Sequence, residues 1–260
     1  MPGLAQHHSS KLFKFIYIGD SGTGKTGSLT SLVKAGYKVR ILDFDNGVDT
    51  LAQYVRKECP EHIGNVDYET LRDKVTATQV GPIIRNPTAF TKGLEYMTKW
   101  PDGSSPGEWG EKTIFVLDSL SNFGRAAFAW AKGMNPSAKD PRQWYFAAQQ
   151  GLEDVIALLT GETFRSNVIV ISHVNYKEVI EGVHKGYANA IGTALGPTLP
   201  RYFNTLVLAE TSGVGKNVKR EIKMTPTGVI DLKTPVPELT EALPLSTGLA
   251  TLVEKLHTAL

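Results

Sequence analysis

An eight-residue run near the N-terminus, GDSGTGKT at positions 19–26, combines the residue types that bind the phosphates of a nucleoside triphosphate. It satisfies the phosphate-binding pattern GxxxxGK[ST] at every fixed position. Glycines let the backbone turn its N–H groups inward around phosphate oxygens, and the following helix directs its positive end at the same charge. Lys25 is predicted to contact the β and γ phosphates, and the Thr26 hydroxyl to ligate Mg²⁺. The residues predicted to bind the nucleotide are Gly19, Asp20, Ser21, Gly22, Thr23, Gly24, Lys25, Thr26 and Gly27.

Acidic residues at the ends of two apolar segments could complete a hydrolytic site. Hydrolysis needs a carboxylate for Mg²⁺ and a group that orients or deprotonates the attacking water. Asp118 ends the apolar run TIFVLD, which predicts it as the Mg²⁺ carboxylate beside Thr26. Asp43 and Asp45 alternate along the segment LDFDN, so they are expected to point to one side, with one of them facing the γ phosphate. The residues alone leave open which of the two does so.

These side chains require a strand before the loop and a helix after it. Residues 11–18 form an apolar, aromatic-rich run that predicts a buried strand, and residues 28–36 have apolar positions at helical spacing. Further strands are predicted at 37–45, 112–120 and 167–173, separated by segments with helical periodicity. Alternation of this kind predicts an α/β fold: a mostly parallel, twisted sheet flanked by helices, with the nucleotide at its carboxyl edge.

Three segments are predicted to lack regular structure. Residues 73–87 contain Gly-Pro and Asn-Pro pairs, and residues 121–143 mix glycine and proline with aromatic and basic side chains. Residues 174–200 are rich in glycine and contain two prolines, which indicates a functional loop. Near the C-terminus, the segments FNTLVLAE, REIKM and GVIDL predict antiparallel edge strands.

The composition restricts the class of protein. Lys and Arg number 28 against 26 Asp and Glu, so the net charge of +2 gives no strong basic field, and any nucleic-acid binding must be local. The single cysteine excludes an internal disulfide and suits a reducing cytoplasm. No apolar run is long enough to span a bilayer, so a cytoplasmic protein without a membrane partner is expected. Residues 1–11 are predicted to form a flexible tail, and residues 12–260 one domain.

Four blocks, in order along the chain, resemble the core of the RecA/RadA-like recombinases. The first is the phosphate loop, and the second is ILDFDNGVD, where Asp45 stands at the position of the family's water-activating glutamate and Asp49 at that of a later aspartate. The third is FVLDS around Asp118. The fourth is VIVISHVN, where His173 replaces a glutamine that senses the γ phosphate. A glycine-rich segment, IGTALGPTLPRYF, follows as in the family's second DNA loop.

The resemblance implies a RecA-like P-loop ATPase core with ATP and Mg²⁺ as cofactors. It also implies single-stranded DNA as a partner and a homo-oligomeric ring or filament with the nucleotide between subunits. In such assemblies a basic residue of the neighbour reaches the γ phosphate; Lys223 is the nearest positional match, with Lys216 and Arg220 as alternatives. The compact layout resembles the phage-encoded Sak-group annealing ATPases, which implies a bacterial host cytoplasm and a phage single-strand-binding protein as a further partner. The residues expected to be catalytic are Lys25, Asp45, Asp118, His173 and Lys223.

Cations interleaved with aromatic rings could bind a single strand through its backbone and bases. Two segments have this composition, one after Asp118 and one after His173. The alternative is that the rings pack in a helix and the charges are solvated. The candidate DNA-binding residues are Arg125, Trp130, Lys132, Lys139, Arg142, Lys177 and Lys185.

The sequence thus predicts an ATP-binding and ATP-hydrolysing protein that acts on single-stranded DNA in recombination or strand annealing. Two alternatives remain open. One is a nucleotide-gated assembly protein with negligible hydrolysis, because Asp45 and His173 depart from the family pattern. The other is a small-molecule kinase, whose phosphate loop is similar.

Overall fold

The computed structural model describes residues 11–258, so the predicted flexible tail lies outside the described residues except for Lys11. The strands are β1 (Lys14–Gly19), β2 (Lys38–Asp43), β3 (Val66–Thr70), β4 (Val75–Thr78), β5 (Gly81–Ile84), β6 (Gly110–Asp118), β7 (Ser166–Ser172), β8 (Val174–Ile180), β9 (Val183–Ala188), β10 (Thr205–Ser212), β11 (Lys219–Lys223) and β12 (Leu243–Pro244). The helices are α1 (Lys25–Ser28), α2 (Thr30–Lys34), α3 (Val48–Glu58), α4 (Ala89–Thr98), α5 (Leu120–Met134), α6 (Arg142–Thr160) and α7 (Leu245–Thr258).

Eight strands form one sheet in the order β12-β11-β10-β1-β7-β6-β2-β3. The six strands from β10 to β3 are parallel, and β11 and β12 extend the β10 edge in antiparallel pairing. The predicted fold, a mostly parallel sheet flanked by helices with antiparallel edge strands near the C-terminus, is confirmed. The phosphate loop follows β1, which lies inside the sheet between β10 and β7. This places the loop where strands on both sides can contribute residues to one site.

Two details of the predicted edge are wrong. Residues 205–212 form β10, which pairs antiparallel with β11 as predicted but also pairs in parallel with β1, and its first five residues are buried on both faces as in an interior strand. The segment GVIDL forms no strand; instead Leu206 and Lys233 exchange backbone hydrogen bonds of 2.8 and 3.2 Å. The antiparallel edge therefore consists of β11 and β12 alone among the described residues.

Apolar side chains pack on both faces of the sheet. One cluster includes Phe90 of α4, Phe123 of α5 and Leu152 of α6, which pack against inward-facing residues such as Ile16 of β1. The other cluster contains the apolar sides of α2, α3 and α7. Helices α3, α4 and α5 each bury one side and expose the other, so burial of those sides holds them against the strands.

The three segments predicted as loops are largely ordered. Residues 75–84 form the hairpin β4–β5, and residues 174–188 form the hairpin β8–β9. Both hairpins expose much of their surface, so their strands lack the hydrophobic alternation by which a strand is recognised. Much of the segment 121–143 is the helix α5, which begins after Ser119, whose hydroxyl accepts a hydrogen bond from the backbone N–H of Asn122. Within residues 11–258 there is no helix with the length and apolarity to cross a membrane.

Candidate active site

The phosphate loop has the backbone that its glycines predict. Gly22 and Gly24 adopt positive φ angles of 80° and 91°, a region that favours glycine. Gly19 is required for a different reason, since a Cβ there would lie 2.6 Å from the carbonyl oxygen of Ala209 on β10. The loop therefore turns tightly while packing directly against the neighbouring strand.

Lys25 is buried at the start of α1, and its ammonium is held by the loop itself. Its Nζ donates hydrogen bonds to the carbonyl oxygens of Gly19 at 2.7 Å and Asp20 at 2.9 Å. Burial lowers the pKa of Lys25, while the carboxylates of Asp118, Asp45 and Asp20 act in the opposite direction. A cation placed in this way is available for phosphate oxygens that enter the loop.

Thr26 and Asp118 meet at the predicted magnesium position. The Thr26 hydroxyl donates a 2.6 Å hydrogen bond to Oδ2 of Asp118, which is only 2% exposed. Burial raises the pKa of Asp118 to about 7, with the nearby carboxylates of Asp45 and Asp43 adding to the effect and the Thr26 hydrogen bond opposing it. Few neighbouring groups stabilise the negative charge of this buried carboxylate, so it is suited to bind a cation.

The two oxygens are also of the kind that Mg²⁺ prefers. Residues 11–258 contain no cluster of three or more acidic, His or Cys side chains able to hold a metal alone. Mg²⁺ in nucleotide sites usually takes only one or two protein ligands and completes its shell with phosphate oxygens and water. Thr26 and Asp118 therefore suit a metal that arrives with the nucleotide.

The structure distinguishes the two candidate aspartates of β2. Asp45 lies beyond the end of β2, so the expected alternation of Asp43 and Asp45 along one strand is wrong. Asp43 accepts hydrogen bonds from the N–H groups of Asp45 and Gly47 at 3.1 and 3.2 Å and from the Thr70 hydroxyl at 3.0 Å. It stabilises the turn after β2, while Asp45 lines the cavity above the phosphate loop.

Three donors surround the carboxylate of Asp45. Ser119 Oγ donates to Oδ1 at 2.6 Å, Asn122 Nδ2 donates to the same oxygen at 2.8 Å, and His173 Nε2 lies 3.2 Å from Oδ2. Burial alone would disfavour the charged form, but the hydrogen bonds from His173, Ser119 and Asn122 outweigh it and hold the pKa of Asp45 at about 2. Asp45 is therefore a firmly oriented carboxylate and a weak base.

His173 is fixed by the elements on both sides of it. It follows β7 directly, its backbone N–H donates to Ser121 Oγ at 3.1 Å, and its carbonyl accepts from the N–H of Asn189 at 2.8 Å. The β8–β9 hairpin begins at the next residue. The Asp45–His173 contact thus connects the turn after β2 to the base of this hairpin.

A cavity of about 670 Å³ brings these groups together, a size typical of small-molecule sites. Sequence reasoning missed several of the lining residues, because nothing in their local pattern marks them as neighbours of the loop. The missed residues include Tyr54, Glu58, Pro244, Leu245 and Ser246. Arg220 also lines the cavity, although the sequence treats it only as an alternative to Lys223. Asp49 lies on α3 and does not line the cavity.

The basic residues proposed to act from a neighbour differ in their contacts. Lys223 forms an ion pair with Glu210 across the β10–β11 pair. Lys216 is exposed in a short 3₁₀ turn before β11. Arg220 is exposed, and none of the ion pairs within residues 11–258 includes it.

The candidate DNA-binding residues are dispersed. Arg125 and Lys132 are exposed seven residues apart on α5, hence on one helical face, and Lys139 is exposed beyond the helix. Trp130 is half-buried, and the centroid of its ring lies 5.1 Å from that of Phe90. Its ring therefore packs within the protein, as expected if it does not bind DNA. The remaining three have partners within the chain: Arg142 pairs with Asp140, Lys185 pairs with Asp231, and Lys177 donates to the carbonyl of Thr193.

Comparison with known proteins identifies one matching family and several similar solved structures. A protein-family model described as an AAA domain matches residues 12–236. Among solved structures, a KaiC-like protein, PH0186 from Pyrococcus horikoshii OT3, is 12% identical in sequence with a TM-score of 0.42. The aligned region covers 81% of this chain and 78% of the KaiC-like protein. The flagellar accessory protein FlaH from Methanocaldococcus jannaschii is 12% identical in sequence with a TM-score of 0.38. The aligned region covers 82% of this chain and 77% of FlaH. Comparison with curated proteins gives no match.

Proposed function

The chain belongs to the AAA domain family, and on that premise we propose that it is a Mg²⁺-dependent ATPase that acts on single-stranded DNA in recombination or strand annealing. One observation carries the ATPase part of the proposal: Lys25, the Thr26–Asp118 pair and the oriented carboxylate of Asp45 all line the same cavity. Phosphoryl transfer to water requires positioning and charge stabilisation more than covalent chemistry, and these groups supply both.

Each residue has a distinct role in this mechanism. Lys25 exchanges its loop carbonyls for phosphate oxygens and stabilises the charge that develops during transfer. Thr26 and Asp118 would hold Mg²⁺, which would partly neutralise the charge of the phosphates. Asp45 accepts a hydrogen bond from the attacking water and orients it, because its own position is determined by Ser119, Asn122 and His173. His173 couples the state of this carboxylate to the β8–β9 hairpin.

The DNA part of the proposal is supported by position and charge. Helix α5 begins at the active site through Ser119 and Asn122 and exposes Arg125 and Lys132 on one face. Exposed cations along such a face suit a nucleic-acid backbone. Because the chain has a net charge of only +2, binding depends on a few such contacts, and its salt dependence is expected to be correspondingly shallow because the slope scales with the number of phosphates neutralised.

Assembly and origin extend the same proposal. We propose that subunits form a ring or filament, as the sequence resemblance implies. The grouping with phage-encoded Sak-type annealing ATPases, with a phage single-strand-binding protein as partner, is proposed from the sequence resemblance to that group. A bacterial cytoplasm is the corresponding location.

A second function is favoured by one specific observation. With its pKa held at about 2, Asp45 is a poor proton acceptor at neutral pH. The protein could therefore use ATP as a conformational switch, with the Asp45–His173 contact reporting the bound state to the hairpin and with negligible hydrolysis.

Turnover of ATP with and without a single-stranded oligonucleotide, at moderate salt, separates these functions. DNA-stimulated turnover supports the ATPase. ATP-dependent DNA binding without turnover supports the switch, and the absence of any ATP-sensitive affinity for oligonucleotides contradicts the DNA role in both.

A pair of double variants tests where DNA binds. Arg125→Ala with Lys132→Ala is expected to weaken oligonucleotide binding about 30-fold, because it removes two phosphate contacts at ~1 kcal/mol each. Lys34→Ala with Lys255→Ala removes the same charge from exposed positions on α2 and α7 and serves as the control. Equal losses in the two variants would mean that α5 is not the DNA-binding face.

A further inference from the structure

We infer that Arg220 binds the nucleotide from within the same chain, on the nucleoside side of the phosphate loop. The inference rests on the proposed function only in so far as the cavity takes a nucleotide. In the sequence resemblance, Arg220 is only an alternative to Lys223 as the basic residue that acts in a neighbouring subunit's site.

Alternation along β11 determines which way Arg220 faces. Arg220 and Ile222 are two residues apart, so their side chains lie on one face of the sheet. Ile222 is buried under α7: a Cβ built on Gly248 of that helix would lie 3.0 Å from Ile222 Cδ1. Lys219 and Lys223 face the opposite way, which agrees with the pairing of Lys223 with Glu210. Arg220 therefore lies on the α7 face.

Contacts at Gly24 place Arg220 beside the phosphate loop. A Cβ built on Gly24 would lie 3.6 Å from Cδ of Arg220 and 2.6 Å from Cδ2 of Leu245. Leu245 is the first residue of α7. The strand β11 and the start of α7 thus pack against the loop and form one wall of the cavity. Arg220 is exposed and takes part in no ion pair among residues 11–258, so its guanidinium is available for an anion.

The order of strands decides which part of the nucleotide Arg220 meets. Asp118 and His173 follow β6 and β7, which lie on one side of β1; this is the hydrolytic side of the loop. Arg220 lies on β11, two strands from β1 on the other side; we call this side, which includes Leu245, the nucleoside side. A triphosphate with its γ phosphate on the hydrolytic side presents its α phosphate and ribose to Arg220. Arg220 is therefore a binding residue for ADP and ATP alike.

Equilibrium binding of Mg²⁺-ADP and Mg²⁺-ATP to the full chain tests this role. Arg220→Ala is expected to weaken both nucleotides by the same factor, about 10- to 100-fold for loss of a charge-assisted hydrogen bond. Arg220→Lys is expected to recover part of the loss. Lys219→Ala, which removes an equal charge one residue away on the opposite face, is expected to leave both affinities unchanged. Because Arg220 is exposed, thermal melting should show that all three variants remain folded.

A mixing experiment separates action within one chain from action on a neighbour. If Arg220 acts within its own chain, an equimolar mixture of Lys25→Ala and Arg220→Ala proteins retains the weakened affinity of its parts. If Arg220 acted on a neighbour, subunit pairs combining an intact Lys25 with an intact Arg220 would recover tight binding.

Three outcomes overturn the inference: unchanged affinity in Arg220→Ala, a loss confined to ATP, or recovery on mixing. Any of these leaves the proposed function intact, provided that the wild-type protein binds nucleotide and Lys25→Ala does not. If the wild-type protein binds neither ADP nor ATP, the proposed function fails and the inference fails with it.

Discussion

The two sides of the phosphate loop are built differently. On the hydrolytic side, Asp45, Asp118 and His173 are half-buried or buried, and Asp45 and Asp118 each accept side-chain hydrogen bonds of 2.6 Å. On the nucleoside side, Arg220 is exposed and Leu245 gives an apolar wall. The hydrolytic side stands on interior parallel strands, whereas the nucleoside side stands on the antiparallel edge and the C-terminal helix.

This difference separates two tasks. Groups that orient water and metal must be held closely, and an interior strand packed on both faces can hold them. A group that only adds binding energy can lie on an exposed edge strand. We therefore expect substitutions on the hydrolytic side to act on kcat and substitutions on the nucleoside side to act on affinity.

The largest effect is expected where both sides meet, at Lys25. Lys25→Ala removes the buried cation that contacts the phosphates, so kcat/KM for ATP should fall about 10³-fold or more, with weaker nucleotide binding. Steady-state hydrolysis and nucleotide titration measure the two losses. A variant with unimpaired binding would mean that Lys25 acts on the hydrolytic side alone.

Asp45→Asn should affect the hydrolytic side only. The amide keeps the shape but loses the charge that orients water, so kcat should fall about 10²-fold while the affinity for ATP remains close to that of the wild type. Asp49→Asn, at an exposed position on α3 outside the cavity, is the matched control. Wild-type turnover in Asp45→Asn would exclude Asp45 as the residue that positions water.

Asp118→Asn is expected to stabilise the nucleotide-free protein while impairing Mg²⁺-dependent hydrolysis. Because folding raises the pKa of Asp118 from 3.8 to about 7, the wild type loses stability as pH rises through that interval. The variant lacks this loss, so its free energy of unfolding should exceed that of the wild type by an amount that increases from pH 5 to pH 8 and reaches about 2 to 4 kcal/mol.

Urea unfolding of both proteins at the two pH values measures this advantage. Titrating groups far from Asp118 are common to the two proteins and cancel in the difference, whereas Lys25, Asp43 and Asp45 interact with Asp118 and contribute to it. A difference in stability that does not change with pH would contradict the raised pKa of Asp118.

The smallest effect is expected at Lys223, on the edge of the nucleoside side. Its pairing with Glu210 is partly exposed, so Lys223→Ala should change the free energy of unfolding by no more than about 0.5 kcal/mol. Turnover measured at rising protein concentration then tests its predicted role in a neighbour's site. A loss of turnover that appears only at concentrations where subunits associate would support that role, and unchanged turnover at all concentrations would contradict it.

The local residue pattern predicted the strand and helix on either side of the phosphate loop, but not all of the strands and hairpins that surround it. The strand, loop and helix at 14–28 are contiguous, and their apolar spacing and glycines are visible in one window. The β4–β5 and β8–β9 hairpins were missed because their strands are largely exposed and carry no buried alternation. The direction of β10 was missed because an apolar run shows that a strand is buried but not which strand it pairs with.

The sequence by itself determined the phosphate loop, its lysine and threonine, and the aspartate at the end of β6, because each is defined by residue type at short spacing. The family resemblance favoured Asp45, but the tertiary structure showed that Asp45 rather than Asp43 lines the cavity; it alone decided that His173 meets Asp45 across 128 residues and that Arg220 reaches the loop within its own chain. Such contacts depend on strand order and on which way each side chain faces. Those are properties of the whole sheet and are not present in any single segment of the chain.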